Sequence, residues 1–345
     1  MVGAGGFAVG ILMGLLCGLL NGIFLLPMRY VKNWAWENVW LLFTILSTGL
    51  FPWIAAWIAV PHVAHVFRSV PLAAFVPGVL AGLVWGIAQV MYGLSCGMVG
   101  IAIGSAVISC TAIISGTMGP LIVYAPSKLF SSSSLVLLVA TCLIVAGIYM
   151  YGKAGTIKER ETAGTSQKQI VAGSFRLGLV LCLICGVLGT AFVYGGKSST
   201  GLLEAAKAAG APPLLAFYVA YVVTFNAGAV PGILFSLYKL IKNKTSRDFG
   251  RSDAFLWNLA MATAMGLLWY SALLLYGMAS GELGKLGASV AFALFSSGTI
   301  LFANLFGWLA GEWKGASRKT IQGFIKGMVF IVGAILIIAF GLNAQ

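Results

Sequence analysis

The sequence predicts an all-α integral membrane protein with ten transmembrane helices arranged as two inverted five-helix repeats. Three observations carry that prediction. Sixty per cent of the residues are hydrophobic and only 8% are charged, against roughly 25% charged in an ordinary soluble domain. This composition excludes a water-soluble globule and a disordered chain. Ten apolar runs are each long enough to cross about 30 Å of hydrocarbon, which takes about 20 residues. Finally, one half of the chain echoes the other.

The elements follow in chain order. The first run, near 4–27, carries Gly6, Gly10, Gly14, Gly18 and Gly22 on one stripe. Small residues at that spacing let a neighbouring backbone come close. The partner is expected to be another helix of the same chain, with a homodimer seam as the alternative. No basic cluster precedes this run, so it reads as a spanning helix rather than a cleaved signal peptide. The runs near 38–60, 72–92 and 97–124 contain Pro52, Pro77 and Pro120, each of which removes a backbone donor and predicts a kink. A polar turn, Ser131–Ser134, leads into the run near 134–152.

Residues 153–173 then change to Gly, Ser, Thr, Lys, Glu and Gln and read as a cytoplasmic linker. They separate a first repeat, 1–152, from a second, 174–345. The run Lys158-Glu159-Arg160-Glu161 reads as a solvated helix end. The sixth run, near 174–196, holds Cys182 and Cys185. Inside an apolar helix with no histidine near, they read as packing residues rather than a metal or redox pair. In the run near 212–239, Pro231 follows Asn226 closely enough to predict a local break. The last three runs lie near 255–279, 287–310 and 321–343.

Trp85, Tyr92, Gly93, Gly97, Gly100 and Ser105 recur at one offset of 184 as Trp269, Tyr276, Gly277, Gly281, Gly284 and Ser289. A shorter echo joins Cys17-Gly18-Leu19-Leu20 and Phe24 to Cys185-Gly186-Val187-Leu188 and Phe192. A duplicated half in so apolar a chain points to a transporter built from repeats around a central site. The net charge of +13 is spread unevenly. Fifteen basic residues fall in or beside the odd-numbered loops and five in the even ones, which places the odd loops in the cytoplasm and both termini outside. Five helices per half is an odd number, so the second repeat enters from the opposite face. This distribution argues for lipid as the partner and against nucleic acid.

Trp85, Gln89 and Tyr92 share one face of the third helix. An amide within the membrane needs partners and should face inward. Aromatic faces beside an amide suit a sugar, whose C–H faces lie on rings while its hydroxyls meet the amide. Packing between helices is the competing explanation. Asn21, Tyr218, Asn226, Asn258, Trp269 and Tyr270 are further binding candidates. Trp34, Trp36, Trp40 and Trp313 read as interface anchors. None of the eight acidic residues lies in the middle of an apolar run, where proton relays usually sit. Only Glu37 and Glu312 stand at helix ends that a cavity could reach, and they are the proton-coupling candidates. No metal cluster, nucleophile motif or phosphate loop is present in the sequence, so neither an enzyme, a cofactor nor direct use of ATP is expected.

The run Lys32-Asn33-Trp34-Ala35-Trp36-Glu37, with Pro52-Trp53, resembles the bacterial L-rhamnose–proton symporter family of the drug/metabolite transporter superfamily. Trp85-Gly86-Ile87-Ala88-Gln89 with Tyr92-Gly93-Leu94, Gly152-Lys153-Ala154-Gly155 with Lys158-Glu159-Arg160, Gly266-Leu267-Leu268-Trp269-Tyr270 and Glu312-Trp313 extend the resemblance along the chain. Two stretches depart from it: Ala88 and Gln89 replace a Gly-Asn pair, and Gly287-Ala288-Ser289-Val290 lacks an acid. The resemblance implies a transporter of the inner membrane that imports L-rhamnose or a similar sugar with protons by alternating access. A facilitator, or an exporter of other small metabolites or drugs, is the alternative.

Overall fold

The computed structural model describes residues 4–163, 175–251 and 253–343. Residues 164–173 of the expected linker, including Lys168, and both extreme chain ends lie outside the described residues. Among the described residues, ten helices are long and apolar enough to span a membrane. They coincide with the ten apolar runs, because saturating backbone groups internally is the only way a lone segment can cross hydrocarbon.

The first span holds α1 (Ala4–Ile23) and the second is split. It runs as α2 (Trp36–Thr44), a π-helical stretch over Ile45–Leu50, and α3 (Phe51–Ala59). A short α4 (Val63–Ser69) follows, then α5 (Val76–Val99), α6 (Ile101–Tyr124) and α7 (Ser132–Ala163). The sixth run is also broken: α8 (Phe175–Leu188) stops at Gly189-Thr190, and α9 (Ala191–Ser198) and α10 (Thr200–Ala208) follow. Then come α11 (Tyr218–Asn243), α12 (Asp248–Arg251), α13 (Phe255–Glu282), α14 (Gly287–Leu309) and α15 (Arg318–Asn343). The prolines behave unequally. Pro77 sits in the first turn of α5, where its missing N–H is no loss. Pro231 lies inside an unbroken α11, so the break expected beside Asn226 does not occur. The second span is disrupted instead beside Pro52, where the π stretch ends.

The chain forms two compact units, each drawing on both halves of the sequence. Unit one comprises Met1–Gly22, Met91–Thr190 and Ala279–Gln345. Close backbone approach dominates its packing. A Cβ on Gly18 would come within 2.7 Å of Gly298 Cα, and Gly22 abuts Thr299 and Ala303. Gly10 and Gly14 meet Leu283 and Leu294. Most of the first-helix stripe is therefore an internal seam against α14 and the turn before it, not an open face for a second copy. Gly147 on α7 and Gly327 on α15 likewise lie backbone to backbone. Ile113, Leu137, Ile144, Leu294, Ile331 and Ile338 fill the remaining core. Cys182 and Cys185 are buried free thiols, consistent with packing.

One hydrophilic contact in unit one was not visible in the sequence pattern. Ser317 caps α15 by accepting the Thr320 N–H at 3.3 Å. Glu161 at the end of α7 accepts from the Ser317 N–H at 2.9 Å and the Thr320 hydroxyl at 3.0 Å. The Ser317 backbone donor, with help from both side chains, holds the Glu161 carboxyl below its ordinary range. What reads as a solvated charge run thus ties two packed helices together.

Unit two comprises Ile23–Val90 and Ala191–Met278. Here α5 lies against α11 through Gly78, Gly82 and Gly86. Gly82 and Gly86 face the Thr224 and Gly228 carbonyls so closely that no side chain fits. One apolar cluster gathers Ala56, Val66, Leu202, Tyr218, Val219 and Val222. Another joins Val39, Phe43, Ala262 and Met265, with Phe24, Trp40 and Trp269 around it.

Candidate substrate site

The second of these clusters borders a cavity that lies wholly within unit two. Its wall comes from five spanning segments: the end of the first span at Phe24, α2 with its π extension, α5, α11 and α13. Glycines make room for it. Gly228 on α11 lies under the Trp85 ring, and Gly232 lies one turn further on, 3.4 Å from the Thr44 methyl by its absent Cβ. Trp85 and Trp269 stack at 5.7 Å between centroids, with 28° between planes. Phe225 braces both indoles edge-on, at 5.6 and 5.5 Å. Trp40, Phe43 and Phe24 continue the aromatic wall, with adjacent rings 5.0 and 5.7 Å apart. This is offset and edge-to-face packing, the arrangement that ring quadrupoles favour.

Three polar side chains face that wall. Gln89 lies one turn beyond Trp85 and makes no hydrogen bond to another described residue. Its amide therefore keeps two donors and an acceptor for a ligand. Thr44 and Thr48 donate their hydroxyl protons to the Trp40 and Thr44 carbonyls, at 2.7 and 2.6 Å. With their donors committed, they present acceptor lone pairs. The volume is about 70 Å³.

Trp85, Gln89 and Trp269 thus come together as the sequence pattern expects. The other binding candidates lie elsewhere. Tyr92 belongs to unit one and does not line the cavity. Asn21, also in unit one, donates to the Thr299 hydroxyl at 3.1 Å. Tyr218 is buried in the first apolar cluster of unit two, its hydroxyl 3.9 Å from Met278 Sδ. Tyr270 is buried with its hydroxyl unpartnered. Asn258 clamps the Lys32 peptide, accepting its N–H at 2.9 Å and donating to its carbonyl at 2.7 Å. Asn226 spends its amide on Thr48, Gly49 and Trp53. Trp40, expected at the membrane interface, lines the cavity instead, as do Phe24, Phe43, Thr44 and Thr48.

Glu37 and Glu312 occupy different settings. Glu37 is the one buried acidic side chain among the described residues, 6% exposed. It lies in the first turn of α2, where the helix dipole favours negative charge. Its Oε1 accepts from Asn243 Nδ2 and the Thr245 hydroxyl, both at 2.8 Å. Neither donor carries charge. The carboxylate does not line the cavity, but Trp40, three residues on, does. Glu312 is exposed in the turn after α14, with its carboxylate folded beside Gly307.

The family profile described as L-rhamnose-proton symport protein (RhaT) matches residues 4–344. The chain belongs to this family. It is a family of transport proteins, not of enzymes, and with ten spanning helices among the described residues the chain is a multi-pass protein of the inner membrane. An L-rhamnose-proton symporter of Cronobacter sakazakii is 28% identical over 97% of each chain. Those of Escherichia coli K12 and Pectobacterium atrosepticum are each 27% identical, over 97% of this chain and 98% of theirs. A solved crystal structure, 16% identical, covers 96% of this chain and 98% of its own with a TM-score of 0.54, and so shares the fold.

Proposed function

We propose that this protein imports L-rhamnose, or a closely similar deoxyhexose or hexose, together with protons by alternating access. The sugar binds in the unit-two cavity. The observation that carries this reading is the unpartnered Gln89 amide set beside the stacked Trp85–Trp269 pair. A pyranose ring lays its C–H face, and a 6-deoxy sugar its methyl group, on the indoles. Its hydroxyls donate to Thr44 and Thr48 and exchange hydrogen bonds with Gln89. An apolar wall with a few placed polar groups is the usual make-up of a small-molecule site.

At about 70 Å³ the cavity is smaller than the roughly 300 Å³ at which small-molecule pockets begin. The walls must part to admit a sugar, and alternating access supplies such a movement. Glu37 is the proposed proton site. Its donors are neutral, so protonation leaves no buried cation unpaired, and it sits one helical turn from the cavity wall. The names of the relatives support both substrate and coupling, and the loop charge bias supports cytoplasmic odd loops and outward termini.

The test is uptake of labelled L-rhamnose into proteoliposomes with and without an imposed inward proton gradient. Accumulation only with the gradient is expected. Equilibration indifferent to the gradient would refute proton coupling and leave a facilitator, and no uptake would refute the substrate.

A further inference from the structure

We infer that Asn226 is a positioning residue for the proposed sugar site, holding the π-helical segment that carries Thr48 in place of the hydrogen bond Pro52 cannot make. The inference rests on the sugar reading above and adds a residue that does not line the cavity. Pro52 lacks an N–H, so the Thr48 carbonyl four residues earlier loses its helical partner. An unpaired carbonyl in apolar surroundings is costly. Asn226 Nδ2, from α11, donates to Thr48 O at 3.1 Å and lies 3.4 Å from Gly49 O. Its Oδ1 in turn accepts from Trp53 Nε1 at 3.2 Å, just past the proline. One side chain therefore grips both sides of the Pro52 break.

The segment it grips is unusual. Ile45–Leu50 is π-helical, and the Phe51 N–H reaches back five residues to Leu46 O. Such bulges in helices recur at functional sites. Here Thr44 stands just before the bulge and Thr48 within it, and both line the cavity. A π-turn inserts one residue into the helical register, so converting it to α-helix swings the preceding residues by about 100° around the axis. Without the Asn226 amide the tie between this segment and α11 is lost, and the π turn is free to relax to α-helix. Thr44 and Trp40 then turn away from Gln89 and Trp269. On α11 the same side chain stands two residues before Gly228, so it also fixes the segment against the helix that forms the cavity floor.

The test is a double-mutant cycle of Asn226→Ala and Pro52→Ala, since alanine at 52 restores a backbone donor for Thr48 O. Each variant is first checked for a monodisperse peak in detergent. Expected for Asn226→Ala is a rise of roughly tenfold in KM for L-rhamnose, the loss of one to two hydrogen bonds, with Vmax within about twofold of wild type. The double variant is expected to recover most of that KM. Independently of any sugar, hydrogen exchange over residues 44–52 should quicken in Asn226→Ala and slow again in the double variant. An unchanged KM in a wild-type background that transports L-rhamnose overturns the inference. So does a double variant as impaired as the single one, or exchange over 44–52 that ignores Asn226. If wild type moves no L-rhamnose, the substrate reading fails instead, and the exchange experiment alone decides the role of Asn226.

Discussion

Replacing Gln89 by alanine isolates the polar half of the proposed site. The amide makes no hydrogen bond to another described residue and stands exposed on the cavity wall, so its removal costs the fold little. Changes of this kind alter stability by within about 0.5 kcal/mol, and alanine keeps the helix propensity of α5. The effect on binding follows from the amide's inventory. It has two donors and one acceptor, and a sugar spanning the Trp85 and Trp269 faces reaches it with two adjacent hydroxyls. Two neutral hydrogen bonds at about 1 kcal/mol each give about 2 kcal/mol, or roughly 30-fold in affinity. The assay is initial-rate uptake of labelled L-rhamnose in proteoliposomes over a concentration series, with thermal melting in detergent as the folding control. KM should rise roughly 30-fold with Tm unchanged. Gln89→Asn, one methylene shorter, should fall in between. A KM within twofold of wild type, with the protein folded and active, would place the sugar elsewhere and refute the reasoning.

Glu37→Gln keeps the hydrogen bonds from Asn243 and Thr245 in reach but removes the titratable proton. It should abolish accumulation against a gradient while counterflow exchange of L-rhamnose persists, and retained gradient-driven accumulation would exonerate Glu37. The Glu161 carboxyl is held below its ordinary range by the Ser317 and Thr320 donors. Its stabilising contribution is thus complete above the unfolded value near 4.3 and is lost as pH falls through the folded value. Melting temperature should drop on acidification below about pH 4.5, and Glu161→Ala should show a smaller drop; equal pH profiles would remove Glu161 from the α7–α15 tie. Gly18→Leu forces a side chain into the Gly298 backbone, whereas nothing lies within 4 Å of a Cβ on Gly5. The first should cost at least about 1–3 kcal/mol, read as a lower Tm, and Gly5→Leu should be neutral; similar melting of the two would contradict the α1–α14 seam.

The ten helices were legible because length and apolarity alone decide whether a segment spans. The aromatic half of the site was partly legible for a related reason. Trp85 and Gln89 share a face by helical spacing, and Trp269 is marked by the repeat. The other candidates lie away from this cavity for identifiable causes. Asn21, Asn226 and Asn258 do turn inward, as amides in a membrane must. Their partners, however, are Thr299, a proline-orphaned carbonyl and the Lys32 peptide. A single sequence shows that a buried amide needs a partner but not whether the partner is protein or ligand. Nothing in the sequence distinguishes Thr44 and Thr48 from ordinary hydroxyls bonding back along a helix, which they also are. Trp40 lies near a helix end and so passed for an interface anchor. The overlooked signal was the spacing of Trp40, Phe43, Thr44 and Thr48, which sets all four on one face. The proline reading went wrong at Pro231, where α11 continues, and held at Pro52, where a π stretch lies just before the proline and α11 supplies an amide to relieve the break.

The stack of Trp85 on Trp269 links the repeat to the site. The two tryptophans occupy equivalent positions, 184 residues apart, on α5 and α13. In the proposed inverted repeat, equivalent residues are exchanged by the axis that relates the halves. Two such residues can touch only close to that axis, since distance from it separates them. Under that arrangement their 5.7 Å contact would put the cavity beside the axis, where inverted-repeat transporters hold their substrates. The polar groups break the symmetry. The residue 184 positions after Gln89 is Leu273, which is buried, and the hydroxyls come from α2 and its π extension alone. A site aromatic on both sides and polar on one would grip a pyranose in a single orientation. On this reading the duplicated aromatic pair supplies the shared surface, and Gln89 with Thr44 and Thr48 supplies the selectivity.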